Sequence, residues 1–112
     1  SHEPNWFTTA PIGAIEKVLE KSGWKKTDVD LFEVNEAFAV VPMAVMKDIS
    51  ISNDILNIYG GACALGHPVG ASGARIVATL INALKKNNLK KGIASLCIGG
   101  GEATALALEI IN

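Results

Sequence analysis

The segment Ile93–Ile98 reads Ile-Ala-Ser-Leu-Cys-Ile, apolar at every position except Ser95. A strand with one face in water alternates; a strand that does not alternate is covered on both faces. The fold must therefore lay apolar surface on each side of this strand. Two amphipathic helices offer themselves. In the first, Thr9 is placed to cap, Ala10 and Pro11 occupy the first turn, and Gly23 takes the C′ position. Its stripe is Ile12, Ile15, Val18 and Leu19. The second runs from Ser72, again placed to cap, to about Lys86, with Ile76, Val77, Leu80, Ile81 and Leu84 on one side. Lys85 and Lys86 suit the negative end of its dipole. Its first turns are all small residues (Gly70, Ala71, Gly73, Ala74), which predicts a well-buried helix.

The remaining segments complete an alternating order. Residues 1–8 read as a loop and Trp24–Thr27 as a connector. Val29–Val34 and Ile55–Tyr59 read as short strands, and Ala103–Ile111 as the last one. A further helix is predicted from about Ala37 to Asp48 with Pro42 inside it. Proline in a helix interior costs roughly 3 kcal/mol. That predicts either a start near Ala39, which puts Pro42 in the first turn, or a kink. The order α-β-α-β-α-β-β argues for layered α/β architecture, with a mixed sheet and helices on both faces. The sheet is expected to be mainly parallel, with the last strand antiparallel across the short Gly99–Gly101 turn.

A chain of 112 residues is one domain. Apolar residues make up 49%, charged residues 19%, and mean hydropathy is +0.31, which excludes a disordered tail. The formal net charge of −1 argues against nucleic acid as a partner. The longest apolar run, Ala37–Met46, is half of the roughly 20 residues a membrane-crossing helix needs. Two cysteines do not make a disulfide framework, and a reducing, cytoplasmic setting is the simpler expectation. The polar opening Ser1-His2-Glu3-Pro4-Asn5, with no initiator Met and no signal segment, reads like the middle of a longer chain. Small domains bury a smaller share of their surface than large ones. So apolar a short chain is expected to set part of its surface against a partner, as one half of a larger unit.

Nine of the eleven glycines lie between positions 60 and 101, eight of them in the loop Gly60–Gly73 and in Cys97-Ile98-Gly99-Gly100-Gly101. Both segments follow apolar strands, where open α/β sheets bind ligands. Gly66, Gly70 and Gly73 match neither GxxxxGK[ST] nor GxGxxG, so a nucleotide-binding module is a weak alternative. His67, held in a Gly/Pro-framed loop, is a candidate for proton transfer near neutral pH. Cys97 precedes three glycines whose backbone N–H groups could build an oxyanion hole. Cys63, His67 and Cys97 could be read as zinc ligands, but no CxxC pair supports it, and no metal is expected. Asn35 could cap a helix or aim its amide at the same strand-end face. Asn35, His67 and Cys97 stand 32 and 30 residues apart. That is about one βα repeat, so all three are predicted to project from one sheet edge.

Asn35-Glu36-Ala37-Phe38, Gly66-His67-Pro68 with its flanks Gly60-Gly61-Ala62 and Gly70-Ala71-Ser72-Gly73-Ala74-Arg75, and Cys97-Ile98-Gly99-Gly100-Gly101 resemble the three C-terminal active-site motifs of thiolases. The resemblance runs in order along nearly the whole chain. It implies that residues 1–112 are the C-terminal half of a two-half αβαβα protein, without its first strand or its N-terminal half. It implies Claisen chemistry on coenzyme A thioesters, in either direction, with acetyl-CoA C-acetyltransferase favoured. A β-oxidation 3-ketoacyl-CoA thiolase and a non-catalytic acyl-CoA-binding domain are the alternatives. Neither Cys63 nor Cys97 stands in the family's nucleophile motif, so the nucleophilic cysteine would lie in the N-terminal half and the fragment alone would be inactive.

By the same resemblance, His67 would activate that nucleophile and help hold the thioester oxygen of the second acyl-CoA. Cys97, a thiol with lowered pKa, would take and return the α-proton of acetyl-CoA. Asn35 would hold the water that completes the first oxyanion hole. The Gly99 N–H would serve a second one, and Ala37 and Phe38 would line the pantetheine and acyl pocket. Coenzyme A enters as substrate, with no other cofactor, and the whole would be a homo-oligomer, dimer or tetramer. The Cys-x-Gly-Gly-Gly run separates this pattern from ketoacyl synthases. Glu102 and Pro42 depart from it and leave the subfamily open.

Overall fold

The computed structural model describes residues 1–111; Asn112, the last residue of the expected domain, lies outside them. Helix α1 spans Ala10–Ser22 and ends on Gly23, whose φ of 71° is the left-handed conformation that glycine adopts freely. Ile15 is the fully buried member of its stripe. The opening segment is not a plain loop: Pro4–Thr9 is a 3₁₀ turn, and the Thr9 hydroxyl donates to the Trp6 carbonyl instead of capping α1. The Trp24–Thr27 connector runs into another 3₁₀ turn, Lys26–Asp28. Strand β1 is Leu31–Val34, buried at all four positions.

Helix α2 is Val40–Ile49. It starts late, so Pro42 lies in its first turn, where no intrahelical N–H partner is needed. Gly60–Gly73 is interrupted by a one-turn helix, α3, at Ala62–Leu65. Helix α4 is Ser72–Lys86, strand β2 Lys91–Ile98 and strand β3 Glu102–Glu109.

The sheet is mixed, in the order β1-β2-β3. Strand β1 runs parallel to β2, pairing Leu31 with Gly92 and Val34 with Ser95. Strand β3 returns antiparallel across the glycine turn, pairing Ile98 with Glu102. Parallel pairing is less extensive than expected because Ile55–Tyr59 is not a strand. Asn53–Ile55 forms a 3₁₀ turn and only Leu56 bridges to Phe32. The cause is Asn57, whose φ of 50° takes the backbone out of the β region. Its side chain replaces the missing ladder: Asn57 Oδ1 accepts from the Val34 N–H and Nδ2 donates to the Val34 carbonyl, both at 2.8 Å.

Helices cover both faces, as the unalternating strand demands. On one face α1 and α2 pack through Ile15, Val41 and Val45 against Phe32, Val34 and Ile93. On the other, α4 packs Ile76, Leu80 and Leu84 against Leu31 and Ala94. Strand β2 is buried from Gly92 to Ser95. Helix α4 is less enclosed than its small residues suggested: Ser72 is buried, while Ala71 and Ala74 are exposed.

Candidate active site

Val34 and Ser95 pair in register, and the Asn35 N–H donates to the Ser95 carbonyl at 2.9 Å. Two residues past Ser95 on the neighbouring strand is Cys97. Asn35 and Cys97 therefore leave the same edge of the sheet, from adjacent parallel strands. His67 reaches that edge by another route than a strand end. It sits in the loop between α3 and α4, with Gly66 before it at φ 95°. Its Nε2 lies 3.2 Å from Asn35 Nδ2. The structure thus joins Asn35 and His67 directly and sets Cys97 on the same rim, without a hydrogen bond to either among the described residues.

Asn35 is fully buried and does not cap a helix, since α2 begins at Val40. Its side chain faces α4 instead: Arg75 Nη2 donates to Asn35 Oδ1 at 3.3 Å. Arg75 Nη1 donates to Glu33 Oε1 at the same distance. Glu33 and Asn35 are two residues apart on one extended segment, so they share a face, and α4 covers that face. Burial pushes the Glu33 carboxyl up to about 7, only partly offset by Arg75. A close cation normally lowers an acid; here desolvation outweighs the pairing.

Ser72 does not take the capping role expected of it. It opens α4 but makes no cap bond. Its Oγ lies against His67 Nδ1 and donates to the Pro68 carbonyl at 3.0 Å. Arg75, quoted only as part of a motif flank, and Glu33 also belong to this network. A legible signal existed for Glu33: a carboxylate inside an otherwise apolar strand needs a buried partner.

Cys97 is buried among the α1/α2 core side chains. Burial raises its thiol pKa above the ordinary 9.0, which corrects the expectation of a lowered one. At neutral pH this thiol is in its acid form. Cys63 is exposed, and the Glu36 carboxylate, which accepts from the Cys63 N–H at 2.8 Å, pushes its thiol pKa up as well. A Cβ at Gly61 would press on that carboxylate and make it shift. Cys63, His67 and Cys97 do not gather into a metal-binding group; no such cluster occurs among the described residues.

In the glycine turn, Gly101 sits at φ 96° and its N–H donates to the Ile98 carbonyl. Its own carbonyl accepts from the His2 N–H at 2.6 Å, tying the opening segment to the turn. The Gly99 N–H has no backbone acceptor among the described residues. Phe38 is exposed and meets the edge of Phe7 at 6.2 Å between ring centres; Ala37 is half-buried against the core. A cleft of about 430 Å³ opens beside α2, lined by Glu36, Pro42, Met43 and Asn57. His67, Asn35 and Cys97 do not line it.

Residues 1–110 match the family model described as thiolase, C-terminal domain. A probable acetyl-CoA acetyltransferase of Dictyostelium discoideum is 55% identical over 106 residues, 95% of this chain and 26% of that one. The crystal structure of the Bacillus anthracis acetyl-CoA acetyltransferase superposes with a TM-score of 0.95 at 45% identity, covering 98% of this chain and 28% of that chain. A thiolase from Ascaris suum in complex with coenzyme A gives 0.93 at 45% identity, with the same coverage. The chain thus spans about a quarter of the length of the relatives it matches. No helix among the described residues is long and apolar enough to cross a membrane.

Proposed function

The chain belongs to the thiolase family, as its C-terminal domain, and from that we propose that it supplies the acid/base and oxyanion groups for a Claisen reaction on coenzyme A thioesters. In one direction two acetyl-CoA give acetoacetyl-CoA and free coenzyme A; thiolysis is the reverse. The observation that carries this reading is the 3.2 Å approach of His67 Nε2 to Asn35 Nδ2, on the sheet edge that also bears Cys97.

His67 takes the proton of a nucleophilic cysteine supplied by an N-terminal half. With a water held by Asn35, it then steadies the thioester oxygen as enolate charge develops there. Cys97, protonated as it stands, gives its proton to the acetyl carbon in thiolysis; in synthesis it first gives that proton to the departing coenzyme A thiolate, and the Cys97 thiolate so formed removes the α-proton. The Gly99 N–H faces the acyl-enzyme oxygen, where only a residue without Cβ lets backbone come close. Ala37 and Phe38 line the pantetheine path. Coenzyme A enters as substrate, with no further cofactor or metal. The relatives favour the acetyl-transferring enzyme over a longer-chain thiolase. The partners proposed are the N-terminal half and further copies in a homo-oligomer, with neither nucleic acid nor membrane. The setting proposed is the cytoplasm, which suits two free cysteines.

The test is thiolysis of acetoacetyl-CoA, followed as loss of the substrate on adding coenzyme A. The protein carrying this chain together with an N-terminal half turns over; the 112 residues alone do not. Turnover by the isolated chain contradicts the division of the site between two halves.

A further inference from the structure

The hydrogen bonds behind His67 run in one direction. A guanidinium has only donors, so the Asn35 atom facing Arg75 Nη2 is the amide oxygen. The amide nitrogen therefore faces His67 Nε2. An amide NH₂ offers no lone pair, so Nε2 accepts, and the proton of the neutral ring sits on Nδ1. Nδ1–H points at Ser72 Oγ, whose own hydrogen goes to the Pro68 carbonyl. At the other end, Glu33 Oε1 holds Arg75. Asn35 is fully buried, and the partners of its amide among the described side chains are Arg75 and His67.

We propose that Arg75, anchored by Glu33, is a positioning residue that fixes the rotation of the Asn35 amide and thereby holds neutral His67 with its proton on Nδ1 and its lone pair on Nε2. Without Arg75 the amide can turn over, present its oxygen to Nε2 and draw the proton there. A ring protonated on Nε2 has no lone pair on the side that faces Asn35. The importance of this for turnover rests on the function proposed above; the tautomer itself does not.

The experiment is ¹⁵N NMR of the histidine rings in the full-length protein, at a pH where they are neutral. The His67 signals are identified by their loss in His67→Gln. The unaltered protein shows an unprotonated Nε2 and a protonated Nδ1. Glu33→Gln/Arg75→Leu removes both charges together, so no buried carboxylate is left unpaired. In it the His67 proton moves to Nε2 or divides between the two nitrogens, and Arg75→Lys, which keeps a donor, restores part of the Nδ1–H form. Asn35→Asp presents only acceptors and also moves the proton to Nε2, which decides the matter should the double variant not fold. An unchanged tautomer ratio in either folded variant overturns the proposal. Thiolysis measured on the same samples keeps the two readings apart. An inactive unaltered protein contradicts the proposed function and leaves the tautomer result standing. An active protein whose tautomer ignores Arg75 contradicts the positioning alone.

Discussion

A serine at the start of a helix usually caps it through its side-chain oxygen. Ser72 stands at such a start, yet its hydroxyl serves His67 and Pro68. Propensity names the position but not the competitor, because His67 arrives from a loop whose path the sequence does not display. Glu33 is the converse case, a charge whose place in an apolar strand already announced a partner. Its carboxyl titrates near 7 in the folded protein, above its ordinary 4.5, because burial opposes the charge. The folded protein therefore keeps a proton that the unfolded chain gives up. The stability this confers is complete below about pH 4.5 and is lost as pH rises through 7. Glu33→Gln lacks the titration. Denaturant midpoints measured from pH 5 to pH 8 should show the variant gaining on the unaltered protein as pH rises; a constant difference contradicts the assignment.

At the scale of elements, the longer periodic segments were legible and the short ones were not. Helix α1 begins and ends where its stripe and Gly23 place it, and α2 takes the late start that Pro42 requires. Ile55–Tyr59 is not a strand despite its apolar content, because Asn57 lies at its centre. One left-handed residue ends ladder pairing however apolar its neighbours are. The helix inside Gly60–Gly73 was illegible for a different reason. One turn buries too little to leave a periodic mark. The contact between α4 and β2 rests on Gly92, where an added Cβ would come within 2.9 Å of the Leu80 side chain. Gly92→Ala is predicted to cost about 1–3 kcal/mol. In a Leu80→Ala background the space is already open, so the second substitution should cost clearly less. Equal costs in the two backgrounds, measured by chemical denaturation, contradict the close approach.

At the scale of the molecule, one unalternating strand required two covered faces, and the chain covers both with its own helices. Some apolar surface remains open beside α4: Leu106 is half-exposed, at the mouth of a cleft of about 210 Å³ that Val77 and Leu96 also line. The candidate site was legible as three motifs on one sheet edge, because β1 and β2 are parallel neighbours and deliver Asn35 and Cys97 together. The Glu33–Arg75 support behind it was not, since it joins residues 42 positions apart. This chain is proposed to carry the proton-transfer groups of a thioester Claisen reaction. The most direct measurement is thiolysis of acetoacetyl-CoA by the full-length protein with Cys97→Ala and, separately, His67→Ala. Each is predicted to lower turnover by about 10²–10⁴-fold while leaving the fold intact; turnover within about twofold of the unaltered protein, a loss far below that range, would contradict the account.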